Sequence, residues 1–221
     1  MKKIRLIFLP FSWIYALIVW LRNKLYDWGV FQSSRVSVKT IVIGNLALGG
    51  TGKTPHIEYV LKLLNDQNIA VLSRGYGRKT KGTVFANSDA TAETVGDEPL
   101  QIALKFPHIP VVVDEDRLRG IESIRQKFPQ TQAIVLDDAL QHRKLKGGLN
   151  ILLTTFSNPF FRDRYLPAGN LRDHKIRARQ SDAILVTKCP INISESTIQS
   201  FNKRLLPYAK PVNYNRVKYL P

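Results

Sequence analysis

Cysteine is nearly absent. Cys189 stands alone in 221 residues, which excludes an intrachain disulfide and any zinc site built from several cysteines, and it fits a protein facing the cytosol. Acidic residues are scarce too: 17 Asp and Glu against 33 Lys and Arg leave a formal net charge of +16. A solvated surface with no partner is the plain alternative, but so large an excess points to a polyanion: nucleic acid, anionic lipid or a phosphorylated substrate. The nucleic-acid reading draws on charge alone, because the chain has no known nucleic-acid module and no basic stretch studded with aromatics. From Leu6 to Leu21 charge is missing altogether. That run falls short of the roughly 20 residues needed to span hydrocarbon, and Pro10 interrupts it. A secretory signal is disfavoured because no small-residue cleavage site follows.

The same segment is rich in boundary residues. Trp13, Trp20, Trp28, Tyr15 and Tyr26 suit the membrane–water interface. Lys2, Lys3 and Arg5 precede it, and Arg22 and Lys24 follow. A buried hydrophobic helix is the competing reading. The composition favours an interfacial helix over residues 1–28 that seats the protein on a membrane surface and draws on anionic lipid.

Glycine is concentrated where it carries chemistry. Residues 44–54 read Gly-Asn-Leu-Ala-Leu-Gly-Gly-Thr-Gly-Lys-Thr after the apolar run Thr40-Ile41-Val42-Ile43. A strand feeding such a turn, with Lys-Thr opening a helix, is a phosphate-binding loop. Its backbone N–H groups turn inward, and a helix N-terminus faces the anion. Ala47, Leu48, Gly49, Gly50, Thr51 and Gly52 form the cradle, Lys53 reaches the outer phosphates, and the Thr54 hydroxyl is a Mg²⁺ ligand. The strict pattern asks for glycine at 47, where Ala47 stands. A turn that merely caps a helix is the bland alternative, and its placement after a β run argues against it.

Short apolar β runs then alternate with amphipathic helices. Strands are expected at 38–43, 69–72, 110–113, 133–136, 149–153 and 183–186, and helices at 55–65, 100–106 and 117–127. This predicts an α/β fold with a mostly parallel, doubly wound sheet of the P-loop NTPase type, with ligands at the carboxyl ends of the strands. Asp137-Asp138 ends one strand, as expected of the carboxylates that serve Mg²⁺ beside a P-loop. Asp97, after Gly96, reads from spacing equally as a helix N-cap or as a site carboxylate. Arg172 offers a bidentate grip on phosphate in a basic stretch, with six Arg or Lys against two Asp between Arg162 and Arg179.

These motifs together resemble the tetraacyldisaccharide 4'-kinases of lipid A biosynthesis. The resemblance runs from the hydrophobic N-terminus through the 44–55 loop, Ser73-Arg74-Gly75-Tyr76-Gly77, Gly96-Asp97-Glu98-Pro99 and Asp116-Arg117…Arg119. It continues through Asp137-Asp138…Gln141-His142 and Leu166-Pro167-Ala168-Gly169…Leu171-Arg172 to Val186-Thr187-Lys188. It implies ATP and Mg²⁺ as cofactors and transfer of phosphate to the 4'-hydroxyl of an anionic lipid disaccharide at the cytoplasmic face of the inner membrane. The implied roles are Asp97 as base, Lys53 and Asp138 as catalytic partners, and Thr54, Asp137 and Asp138 around the metal. Arg74, Arg119, Gln141, His142 and Arg172 are the implied substrate contacts. Two positions depart from the family pattern: Ala139-Leu140 replaces Gly-Phe, and Asp173 stands where Glu is usual. The resemblance also implies a kinase domain over 36–200, with 201–221 beginning a linker to a second, smaller α/β domain beyond Pro221 that carries a histidine partner for the aspartate. The rival function is a membrane-associated switch ATPase of the partitioning type. That class carries lysine two residues before the second loop glycine, where this chain has Leu48.

Overall fold

The computed structural model describes residues 4–216. After a 3₁₀ turn at Ile4–Phe8 the regular elements are α1 (Leu9–Asp27), β1 (Lys39–Asn45), α2 (Lys53–Leu63), β2 (Ile69–Ser73) and β3 (Val84–Phe85). Then come α3 (Asp97–Lys105), β4 (Val111–Val113), α4 (Arg117–Lys127) and β5 (Ala133–Asp137). The chain finishes with β6 (Leu149–Thr155), β7 (Ala183–Thr187), α5 (Glu195–Leu205) and β8 (Val212–Tyr214). Every strand and helix expected from periodicity is present, with ends shifted by a few residues. The sequence of 211–217 reads as an extended segment, and Val212–Tyr214 within it form β8; the expectation did not include β3, α5 or a two-residue ribbon pairing Ser34–Arg35 with Leu145–Lys146.

The chain divides into two compact units. One comprises Ser33–Ile43 and Lys53–Leu149. Its strands follow the order β1-β5-β2-β4-β3, parallel except for β3, which runs antiparallel to β4. Register pairs Ile41 with Val135, Val71 with Val135 and Val71 with Val111. All residues of β2, β4 and β5 are buried, as expected for parallel strands covered on both faces. Val42, Leu72, Val112, Ile121, Ile124, Ile134 and Leu136 form the core. Gly120 lets α4 lie close, since a methyl group there would sit 2.7 Å from a Leu72 methyl.

The other unit comprises residues 4–32, Gly44–Gly52 and 150–216. Here β6, β7 and β8 run parallel, pairing Leu153 with Leu185 and Ile184 with Val212. Phe156 stacks on Phe201 of α5, and Phe160, Phe161 and Tyr208 complete an aromatic cluster.

In this unit α1 is inside out. Pro10, expected to interrupt the apolar run, lies in the first turn, where its missing N–H costs no hydrogen bond. The buried positions are Ser12, Val19 and Asn23, while Trp13, Ile14, Leu17, Ile18 and Leu21 are exposed. The protein-facing seam is polar: Ser12 Oγ accepts from the Ala168 N–H (3.0 Å), the Tyr15 hydroxyl donates to the Arg172 carbonyl (3.0 Å), and Asn23 Nδ2 donates to Asp173 Oδ1 (2.8 Å). Arg5 adds hydrogen bonds to the Pro167 and Gly169 carbonyls and to Asn170. Among the described residues, then, the apolar face of α1 is not packed into a core. Within Ile4–Asp27 an 18-residue window has a mean hydropathy of 1.9, and the helix is long and apolar enough to cross a membrane.

Candidate nucleotide site

The glycine-rich loop has the backbone its residues allow. Gly49 and Gly52 take φ of 114° and 84°, values that a side chain would strain. Ala47 takes no such conformation; it is buried and bridges Leu171, which explains why alanine replaces the glycine of the strict motif. Segment 170–172 pins the loop's entry: the Leu48 N–H donates to the Asn170 carbonyl (2.7 Å) and the Arg172 N–H to the Leu46 carbonyl (2.9 Å).

Asn45 organises the loop from within. Its Nδ2 donates to Thr51 Oγ1 (2.8 Å) and to the Gly49 carbonyl (3.4 Å). The Arg172 guanidinium donates to the Asn45 side chain and, at 3.2 Å, to its carbonyl. Arg172, expected as a phosphate grip, is thus engaged with Asn45. The Thr187 hydroxyl donates to the Thr51 carbonyl (2.7 Å) and holds the far side. Sequence reasoning passed over Asn45 as a site residue, although it lies at a strand end, whereas Thr187-Lys188 reads from its place after a strand as part of a site.

In the other unit Lys53 and Thr54 open α2, both partly buried. Ser73, Asp114 and Asp137, all buried, follow from the carboxyl ends of β2, β4 and β5. Ser73 Oγ donates to Asp137 Oδ2 (2.9 Å), while Asp137 Oδ1 is buried with no hydrogen-bond partner. Burial drives the Asp137 pKa up to about 6, helped by repulsion from Asp138 and Glu98 and opposed by the Ser73 hydrogen bond and by Lys53. Asp138 takes a left-handed φ of 52°, held by its N–H donating to the Ile43 carbonyl (2.9 Å).

Arg117, which was not among the expected site residues, is buried beside this pair. It donates to the Asp114 and Asp137 carbonyls and makes no hydrogen bond to the Asp137 carboxylate. Burial lowers its pKa to about 10 against the attraction of Asp137 and Asp138. Its signal in the sequence is weak, because an arginine opening a helix usually faces water.

The remaining expected residues divide. Asp97 is not an N-cap: Gly96 holds that place, and Asp97 is exposed in the first turn of α3 with no hydrogen bond or ion pair among the described residues. Gly96 is required there, since its φ is 91° and a Cβ would meet the Tyr76 carbonyl oxygen at 2.9 Å. Arg74 is exposed in the turn that carries Tyr76, itself 90% exposed. Arg119, expected to meet substrate, is committed elsewhere: its guanidinium forks onto Asp114 at 2.9 and 2.7 Å and reaches Glu115 at 3.1 Å. Burial pushes the Asp114 pKa up, but hydrogen bonds from Arg119, Thr83 and the Asp116 N–H outweigh it and the net shift is downward. Gln141 and His142 are half-buried in the turn after Asp138.

No group of three or more His, Cys, Asp or Glu among the described residues forms a metal cage. Mg²⁺ does not need one; it binds through one or two carboxylates plus phosphate oxygens and water. The unpartnered Asp137 oxygen beside Asp138 fits that demand.

A strand-borne glycine loop running into Lys-Thr, in a mostly parallel α/β fold with an Asp pair ending another strand, defines a protein of the P-loop NTPase type. The family model for tetraacyldisaccharide-1-P 4'-kinase matches residues 4–218, and the chain belongs to that family. A tetraacyldisaccharide 4'-kinase of Bacteroides fragilis (strain YCH46) is 50% identical over 203 residues, covering 90% of this chain and 54% of the relative. One from Flavobacterium psychrophilum is 44% identical over 219 residues, covering 99% and 62%. The crystal structure of LpxK from Aquifex aeolicus in complex with ATP superposes with a TM-score of 0.79 at 31% identity, over 99% of this chain and 85% of that one. The chain spans about half the length of the curated relatives it matches.

Proposed function

We propose that this chain carries the nucleotide-binding and phosphoryl-transfer machinery of a kinase that moves a phosphoryl group from ATP to the 4'-hydroxyl of a tetraacyldisaccharide 1-phosphate. The observation that carries the reading is the Asp137 carboxylate, buried and half-satisfied, in a member of a 4'-kinase family. The loop N–H groups with Lys53 and Thr54 bind the phosphates; Asp137 and Asp138 hold Mg²⁺, which when bound neutralises charge on the phosphate oxygens. Asp97, unpaired and exposed, takes the proton from the attacking hydroxyl, a contribution of typically 10²–10⁴-fold. The exposed apolar face of α1 seats the protein on the cytoplasmic side of the inner membrane, where a lipid substrate is presented. Basic side chains add attraction to anionic lipid. Family membership favours this reading over the switch ATPase.

Turnover against Mg²⁺ concentration for Asp97→Asn and Asp138→Asn tests the assignment. Asp97→Asn should cut turnover at every Mg²⁺ concentration and leave ATP binding close to the parent's. Asp138→Asn should raise the Mg²⁺ needed for half-maximal rate. Rescue of Asp97→Asn by added Mg²⁺ would make Asp97 a metal ligand and overturn its role as base.

A further inference from the structure

Lys188 follows the buried end of β7 and is held in a conformation that lysine avoids. Its φ is 55°, in the left-handed region, and its side chain is exposed. The backbone around it is over-determined. The Phe156 N–H donates to the Thr187 carbonyl (2.9 Å), the Asn215 N–H to the Val186 carbonyl (2.9 Å) and the Cys189 N–H to the Asn215 carbonyl (3.2 Å). Thr187, fully buried, locks the turn onto the Thr51 carbonyl of the glycine-rich loop at 2.7 Å. Strain of this kind persists only where surrounding bonds impose it, and such places cluster at ligand sites.

The outcome of that strain is the position of one cation. A methyl group built on Gly50 would lie 3.7 Å from the Lys188 ammonium. The ammonium therefore stands over the middle of the loop. It has no hydrogen bond or ion pair with any described residue, although three N–H donors need partners. An exposed lysine usually wanders in solvent. This one is aimed by a strained backbone at a loop whose own amides face an anion.

We propose that Lys188 is a nucleotide-binding residue, supplying the phosphate chain with a second cation besides Lys53. The proposal rests on the nucleotide reading of the loop and deepens it: one cation follows Gly52 in the chain, and the other comes from the end of β7. Thr187 ties its own strand to Thr51 and so holds Lys188 against the glycine-rich loop. A methyl group on Gly50 would sit in ordinary van der Waals contact with the ammonium, which places Lys188 directly beside the loop backbone.

Equilibrium binding of a fluorescent ATP analogue and of ADP, measured at several KCl concentrations without lipid acceptor, tests this on the whole chain. Lys188→Met keeps the stem and removes the charge; it should weaken both nucleotides about tenfold or more, as expected for losing a charge-assisted hydrogen bond. Its affinity should also depend less steeply on salt, because one fewer charge meets the phosphates. Lys188→Arg should bind close to the parent. Lys188→Gly should raise the melting temperature by relieving the left-handed strain while weakening binding, an opposition that a merely structural lysine would not produce. Parent-like affinity and salt dependence in Lys188→Met, with binding lost in Lys53→Ala, would overturn the role of Lys188 and leave the loop reading intact. Failure of the parent itself to bind nucleotide would overturn both.

Discussion

Replacing Asp137 with asparagine should stabilise the protein in the absence of ligand while removing its response to Mg²⁺. The carboxylate is 4% exposed, and its pKa is raised from 3.8 to about 6. A rise of about two units corresponds to about 3 kcal/mol of preference for the neutral form. The folded protein holds this proton more tightly than the unfolded chain, so Asp137 costs nothing below about pH 4. The cost grows as pH rises through 6 and is complete above it. Asparagine keeps the shape and accepts the Ser73 hydrogen bond, but leaves an amide N–H where the unpartnered oxygen was, which returns about 1 kcal/mol. The net expectation is a gain of about 1 to 3 kcal/mol at pH 7.5 and nearly none at pH 4. Urea melts at the two pH values, with and without Mg²⁺ and ADP, measure it. The parent should gain stability from Mg²⁺ beyond that from ADP alone, and the variant should not. A variant less stable than the parent at pH 7.5, or a difference independent of pH, would refute a destabilising carboxylate kept for a cation.

Other outcomes follow from the same geometry. Leu17→Gln with Ile18→Gln, on the exposed face of α1, should weaken binding to anionic vesicles by about tenfold or more per residue and leave the melting temperature unchanged; flotation assays check this, and unchanged flotation would refute the seating. Asp173→Ala removes the partner of Asn23 in the polar seam, and thermal melts should show a loss of about 1–3 kcal/mol.

The legible parts of this molecule were those written in local pattern. Alternating apolar runs located β1, β2, β4, β5, β6 and β7, and the glycine spacing located the phosphate loop. What escaped has physical reasons. α5 carries Ile198, Phe201 and Leu205 at helical spacing behind a Ser194 cap, but only part of that short face is buried, which made its signal faint. β3 is too short for alternation to show. Among the arginines, composition signals charge but not its partner. Arg172 reads as a phosphate grip and Arg119 as a substrate contact implied by the resemblance, and the fold supplies Asn45 to the first and Asp114 to the second. Asp97 was ambiguous because Gly96-Asp97 offers two caps, and the positive φ at 96 together with the close Tyr76 carbonyl assigns the cap to glycine. The inverted faces of α1 were legible only as apolarity. That its protein-facing seam would carry Ser12, Tyr15 and Asn23 required knowing what it packs on.

The most direct test of the central claim is transfer itself. The chain is incubated with ATP labelled in its terminal phosphate, Mg²⁺ and detergent-dispersed tetraacyldisaccharide 1-phosphate, and the lipid product is separated and its labelled position assigned. The account predicts label on the 4'-oxygen of the lipid, dependent on Mg²⁺ and absent with Lys53→Ala. Release of labelled phosphate to water at a rate indifferent to the lipid, with no labelled lipid formed, would contradict it.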